Sequence, residues 1–416
     1  NFKFYINITI WYDKFINKAS HNDKAGRTYL INMCRLSEMQ KKGKIRMEKK
    51  DPRYQAYIQI LKEELIPAMG CTEPIALAYA AAVARKTLGE MPDKVVVEAS
   101  GSIIKNVKSV IVPNTGHLKG INAAAAAGIV AGDPDKKLEV IATVSQEQIR
   151  QMKQFMEEVP IQVVHMEDGC TFDIIVTVFS GKSYAKVRIA NFHTNIVLIE
   201  KNGEVLKSEA VSDDSEEGLT DRTLLDMEHI WDFAMTADID DVKALLDQQV
   251  AFNVAIAEEG IKNDYGANIG RTLLRAYGDN VRIRARAAAA AGSDARMNGC
   301  EMPVVINSGS GNQGMTASLP VIEYARELNA TEDQLYRALL VSNLVTLHQK
   351  TGIGRLSAYC GAVSAGAGAG AGIAFLCGAD HETVAHTVIN AVAVTSGIVC
   401  DGAKASCAAK ISVAVD

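Results

Sequence analysis

The longest apolar region of the chain, residues 358–377, is built almost entirely of Gly and Ala. Residues this small barely favour lipid over water, so the region reads as a tightly packed core helix and not as a membrane span. The same bias toward small residues runs from residue 220 onward, where strand patterns almost vanish. Helical periodicity falls at 224–235, 239–259, 272–278 and 279–292, the last with Asp279 as N-cap. It returns at 332–349, 362–377 and 381–394, with a final helix from about Lys404. Small side chains let helix backbones approach, so this part is expected to be an all-α domain.

Between about 93 and 210 the apolar period changes to two. Strands are expected at 94–100, 138–144, 161–165, 172–179, 184–190 and 195–200, with turns at Ser180-Gly181-Lys182 and Lys201-Asn202-Gly203. Two helices interrupt them, near 119–132 and 145–158. Residues 53–86 read as helix broken once. The expected fold class is therefore α+β. An all-α, Ala/Gly-rich catalytic domain (51–90 and 219–416) would carry an inserted α/β domain (91–218) that contains an antiparallel sheet. Residues 1–50 read as a poorly structured leader, and the acidic run at 213–218 as a solvated linker. The chain stops inside an apolar helical pattern without a cap or stop signal, so further C-terminal sequence is expected.

At 416 residues, two domains are the expectation, and 48% hydrophobic with 22% charged residues is ordinary for a globular protein. The net charge of −5 argues against nucleic acid or an anionic membrane as the main partner. Eight cysteines spread over this length do not form a secreted disulfide framework, and the N-terminal segment does not read as a signal peptide. A reducing, cytoplasmic setting is expected.

Three cysteines stand out. Cys400 and Cys407 lie seven positions apart around Gly402, and Cys360 lies forty positions upstream of Cys400, at the head of the Gly-Ala run. Small neighbours let backbone N–H groups approach thiolate sulfurs, as a buried iron–sulfur cluster requires. Three protein thiolates and one open iron would suit a cluster that acts as a Lewis acid. Zinc at the same residues is the competing reading, although no C-x-x-C pair is present. A fourth cysteine falls in Gly70-Cys71-Thr72-Glu73-Pro74. With Thr72 as N-cap and Pro74 in the first turn, Cys71 would lie beside the positive end of a helix, where a thiolate is favoured. The alternative is small-residue packing at a helix turn.

Ser308-Gly309-Ser310-Gly311-Asn312-Gln313-Gly314 follows a short apolar extended segment. Such a loop can turn backbone N–H groups and hydroxyls toward an anion. It lacks the Lys-Ser/Thr ending of a phosphate loop, so a carboxylate is the better ligand. Cys377 reads as packing, Cys170 as structural, Cys34 as part of the leader, and Cys300 stays open. The eight histidines form no metal-spacing motif; His381 and His386 suit a solvated helix face.

These motifs together resemble those of the serine dehydratase alpha-chain-like proteins and, within them, the L-cysteine desulfidases. The resemblance runs over residues 51–416. In the iron–sulfur serine dehydratases, similar C-terminal cysteines hold a 4Fe-4S cluster with one open iron, which implies Cys360, Cys400 and Cys407 as ligands here. The segment with Ser308, Ser310, Asn312 and Gln313 is implied to hold the substrate carboxylate. The dehydratases lack the Gly-Cys-Thr-Glu-Pro element, and its presence points to the desulfidase branch. The implied reaction turns L-cysteine and water into pyruvate, ammonia and hydrogen sulfide, without pyridoxal phosphate. Cys71, oriented by Glu73 or Thr72, is the candidate base for the Cα proton, or else a fourth cluster ligand displaced by substrate. Lys404 is expected to offset the cluster's charge or to meet the carboxylate. A small amino acid is the expected partner, and a homodimer is compatible with such an enzyme. An L-serine dehydratase using the same residues is the near alternative. A non-enzymatic zinc or redox-sensing thiolate protein is the alternative from another class.

Overall fold

The computed structural model describes residues 47–211, 219–354 and 356–416. Nearly all of the expected leader, Cys34 and the acidic run at 213–218 lie outside the described residues. Helix α1 (Pro52–Glu64) opens with Asp51 as N-cap, its carboxylate accepting the Arg53 N–H at 2.9 Å. Strand β1 (Pro67–Met69) leads to α2 (Thr72–Leu88). The N-cap of α2 is Cys71 and not Thr72, because Cys71 keeps the extended backbone (φ −87°, ψ 126°) while Thr72 already belongs to the helix.

Next come β2 (Lys94–Ser100), α3 (Gly101–Val107), α4 (Gly120–Ala131), α5 (Gln146–Glu158), β3 (Ile161–Met166), β4 (Asp173–Ser180), β5 (Ser183–Ala190), β6 (Ile196–Lys201) and β7 (Glu204–Ser208). The sheet order is β3-β2-β4-β5-β6-β7, with β2 and β3 parallel and the other neighbours antiparallel. The parallel pair requires a crossover, which α3 to α5 supply. Val95, Val97, Ile174, Val176, Val187 and Ile189 alternate inward from the sheet onto Leu77, Ala81 and Ala124. Helix α2 thus packs on the sheet while α1 packs in the helical part, so the helical stretch at 51–90 contributes to both cores.

The strand expected at 138–144 does not form. A 3-10 turn (Pro134–Glu139) occupies its start, and Val140 and Ile141 plug the core from the loop that follows. Asn114 donates to the Ile141 carbonyl at 2.8 Å, taking an acceptor that a strand neighbour would need. Strand β7, absent from the sequence expectations, lies at the sheet edge with Val205 and Leu206 exposed, where burial imposes no alternation.

The helical part runs through α6 (Met227–Thr236), α7 (Lys243–Lys262), α8 (Ile269–Tyr277), α9 (Val281–Met297), β8 (Pro303–Val305), α10 (Gly311–Glu327), α11 (Glu332–Ile353), α12 (Gly361–Leu376), α13 (His381–Thr395) and α14 (Cys407–Val415). Strand β8 pairs antiparallel with β1. Asn280, not Asp279, caps α9, accepting the Ile283 N–H at 3.2 Å. Helix α10 was not expected from sequence, since Gly311, Gly314 and Pro320 all disfavour a helix interior. Gly314 is there because the helix crosses the backbone of Val305 and Ile306 too closely for a side chain. The Gly-Ala helix α12 packs as its composition requires: a Cβ at Gly372 would come within 2.7 Å of the Ala338 carbonyl oxygen on α11. Among the described residues no helix is long and apolar enough to cross a membrane.

Candidate active site

A cleft of about 420 Å³ opens where the helical part meets the sheet part. The thiols form one wall. Cys360 is the N-cap of α12, Cys407 begins α14, and Cys400 lies in the loop between α13 and α14. Two backbone bonds lace the first loop to the third: Cys360 N–H to the Ile398 carbonyl at 3.0 Å and Cys400 N–H to that of Ala358 at 2.7 Å. All three cysteines line the cleft and none is in a disulfide. Burial raises the Cys360 and Cys407 thiols above their ordinary value, and the neighbouring sulfurs add to this, while Lys410 opposes it. Among the described residues no group of three or more His, Cys, Asp and Glu is arranged to hold a metal ion. The three sulfurs lie close enough for their charges to interact: Cys407 feels both Cys360 and Cys400.

Gly402 fixes how this wall meets the sheet part. Its φ is +100°, and a Cβ there would run into the Lys105 carbonyl at the end of α3. From that same turn, Asn106 reaches across to Glu73.

Glu73 stands in the first turn of α2 and is only 8% exposed. Its carboxylate accepts the Cys71 thiol at 3.1 Å, the Thr72 hydroxyl at 3.2 Å and the Asn106 amide at 2.9 Å. Burial alone would raise this carboxyl, but His193, the Cys71 bond, the helix backbone and Arg296 outweigh it and hold it below the usual range. Cys71 moves the opposite way. Burial, then the Glu73 charge, push its thiol well above normal, and Arg296 only partly offsets them. The expectation of a thiolate favoured by the helix end is thus corrected: desolvation and an adjacent carboxylate exceed the pull of the dipole. The resting pair is a Cys71 thiol donating to an ionised Glu73.

The Ser308–Gly314 segment is not a free loop. Ser308, with φ +50°, turns the chain directly into α10, and Ser308, Ser310, Asn312 and Gln313 all line the cleft. Behind it lies a fully buried amide network. Asn307 donates to the Asn343 side-chain oxygen at 3.0 Å, and Asn343 exchanges bonds of 3.0 and 2.8 Å with Gln249.

Lys404 does not line the cleft; its ammonium pairs with Asp401 at 2.5 Å. Lys410 also binds Asp401 and donates to the Val399 carbonyl at 3.1 Å; its charge is felt by Cys360 and Cys407, and Cys360 feels Lys350 as well. Sequence reasoning missed Arg296, Lys350, Lys105, Asn106 and His193, which also line the cleft. Arg296 lies in the last turn of α9 and is 4% exposed, and no local motif singled it out. Lys350, His193 and Asn106 carry no local motif.

Residues 135–416 match a family model described as the serine dehydratase alpha chain. The chain is similar to a UPF0597 protein of Desulfitobacterium hafniense, with 61% identity over 370 residues, 89% of this chain and 86% of the relative. A UPF0597 protein of Lachnoclostridium phytofermentans is 53% identical over 87% of each chain. One of Treponema denticola is 47% identical over 88% of this chain and 86% of its own.

Proposed function

Since the chain belongs to the serine dehydratase alpha-chain family, a family of lyase-type enzymes of amino-acid catabolism, we propose that it is an iron–sulfur-dependent L-cysteine desulfidase. The reaction is α,β-elimination: L-cysteine and water give pyruvate, ammonia and hydrogen sulfide. The observation that carries this reading is a single cleft lined by the Cys71–Glu73 pair, by Cys360, Cys400 and Cys407, and by the start of α10. Dehydration of L-serine by the same residues is the second reading, favoured by the family description itself.

The donor set fits a cluster better than one ion. Cys360, Cys400 and Cys407 are uncrosslinked thiols lining one cleft beside Gly361, Gly402 and Ala403, and a cluster places its cysteines on separate irons. Held by these three residues, a 4Fe-4S cluster with one open iron would supply a Lewis acid for the departing sulfur or oxygen. Pyridoxal phosphate is not part of the proposal.

The chain's own residues do the rest. Ser308, Ser310, Asn312 and Gln313, with the first-turn N–H groups of α10, bind the amino acid. The Cys71–Glu73 pair takes the Cα proton: Glu73 is the ionised member that receives it, and the Cys71 thiol donates to the same carboxylate. Asn106 holds the free Glu73 oxygen in place at 2.9 Å. Walls from both parts of the molecule limit water around the departing group.

Anaerobic purification with iron and sulfide quantified, followed by parallel assays on L-cysteine and L-serine, tests the reading. About four irons per chain and sulfide release from L-cysteine are expected. Pyruvate from L-serine alone moves the assignment to the dehydratase, and an iron-free protein under strict anaerobiosis overturns both.

A further inference from the structure

Among the described residues, Arg296 and Gln313 at the cleft each carry a buried polar atom with no hydrogen-bond partner, and the two atoms are chemically complementary. Arg296 on α9 is 4% exposed; its Nη1 donates to the Asn312 Oδ1 at 3.3 Å, while its Nε makes no hydrogen bond. Gln313 on α10 is 6% exposed, and its Oε1 accepts no hydrogen bond. One is a cationic donor and the other a neutral acceptor. A buried polar atom left in this state costs roughly 1–3 kcal/mol, so a ligand that reaches either side chain from the cleft and supplies the missing partner recovers that cost.

Two glycines make room for these side chains. A Cβ at Gly311 would lie 2.5 Å from the Arg296 Nε, and a Cβ at Gly361 would lie 2.6 Å from the Gln313 Nε2. Gly311 begins α10, so Arg296 approaches the positive end of that helix, where orphan N–H groups already favour an anion. Gly361 follows Cys360, so Gln313 borders the thiol wall.

We infer that Arg296 and Gln313 form a clamp for the two charged ends of a free α-amino acid, Arg296 taking the carboxylate and Gln313 accepting from the ammonium. The inference rests on the reading of the cleft as an amino-acid site, and it adds a specificity: molecules blocked at either end are rejected. The guanidinium supplies a planar, permanently charged donor for the carboxylate. The amide oxygen accepts without neutralising the ammonium.

The test uses the anaerobic holoenzyme and L-alanine, which carries both charged ends and no leaving group, beside L-alaninamide and N-acetyl-L-alanine. Affinities are measured by calorimetry. The wild type is expected to bind L-alanine about 10- to 100-fold more tightly than either blocked compound, the range of one charge-assisted hydrogen bond. Arg296→Met should erase the preference over the amide and keep that over the N-acetyl compound; Gln313→Leu should do the reverse. Because each readout is a ratio within one protein, a general loss of folded fraction does not imitate it. Equal binding of all three by the wild type, binding of none, or variants that keep both preferences would overturn the clamp. Turnover of L-cysteine or L-serine without these preferences removes the clamp and leaves the lyase; the preferences without turnover do the opposite.

Discussion

The thiol of Cys71 donates to the Oε2 of Glu73 at 3.1 Å, with both residues buried at the start of one helix. Burial and the Glu73 charge raise the Cys71 thiol while Glu73 is held low, so the proton stays on sulfur and at neutral pH the negative charge resides on Glu73. Glu73→Gln keeps the shape and removes that charge. The expected result is a loss of about 100- to 10,000-fold in sulfide or pyruvate release, the usual worth of a general base, with an unchanged far-UV spectrum. Activity within a few-fold of wild type would remove Glu73 from the proton transfer.

Cys360→Ser replaces one member of the thiol wall. Under anaerobic conditions the variant should lose the brown colour, the bound iron and the activity together. Cys377→Ser is the control, since Cys377 lies at the far end of α12 and does not line the cleft. Full activity in Cys360→Ser would end the cluster mechanism.

Gly402→Ala places a methyl group against the Lys105 carbonyl at a position with φ +100°. The expected cost is about 1–3 kcal/mol of stability, read by denaturant titration. The sharper readout is iron content: the loop bearing Cys400 can no longer dock on α3, so retention of the cluster should fall even where the protein remains folded.

Asp294 is fully buried on α9 and accepts the Gly270 N–H at 3.1 Å, capping α8 from a neighbouring helix. Burial raises its carboxyl from 3.8 to about 6, against the opposing pull of the Gly270 and Ile269 N–H groups. The folded state therefore holds this proton more tightly than the unfolded state. Its contribution to stability is fully present below about pH 4 and declines as pH rises to about 6. Asp294→Asn keeps the acceptor and removes the titration. Urea midpoints at pH 4.5 and 7 should differ less in Asp294→Asn than in the wild type, and an unchanged difference would assign the pH dependence elsewhere.

Much of this protein was legible in its sequence. Period-two alternation marked β2 and β4 to β6, because each has one face on the core. The Gly-Ala composition of α12 implied close helix contacts, and glycines 366, 368 and 372 make them. The candidate cysteines and the Ser308–Gln313 segment were visible because thiols, hydroxyls and glycines in short runs have few purely structural uses. Helix α10 was not legible, because the rule that glycine and proline break helices is local, and a close crossing over β8 overrides it. The 138–144 run misled in the opposite way: apolar residues can fill a core from a loop as well as from a strand.

What the sequence determined by itself was the inventory: which side chains can hold sulfur, proton or carboxylate, and which segments bury one face. What only the tertiary structure decided was their company. Arg296 joins the cleft from α9, Asn106 and His193 reach it from the sheet part, and Lys404 turns away to Asp401 while the charge of Lys410 is felt by the thiols. Burial then reversed the expected charge of Cys71. These outcomes depend on which surfaces exclude water from which atoms, and that is set by contacts between residues far apart in the chain, where no local pattern records them.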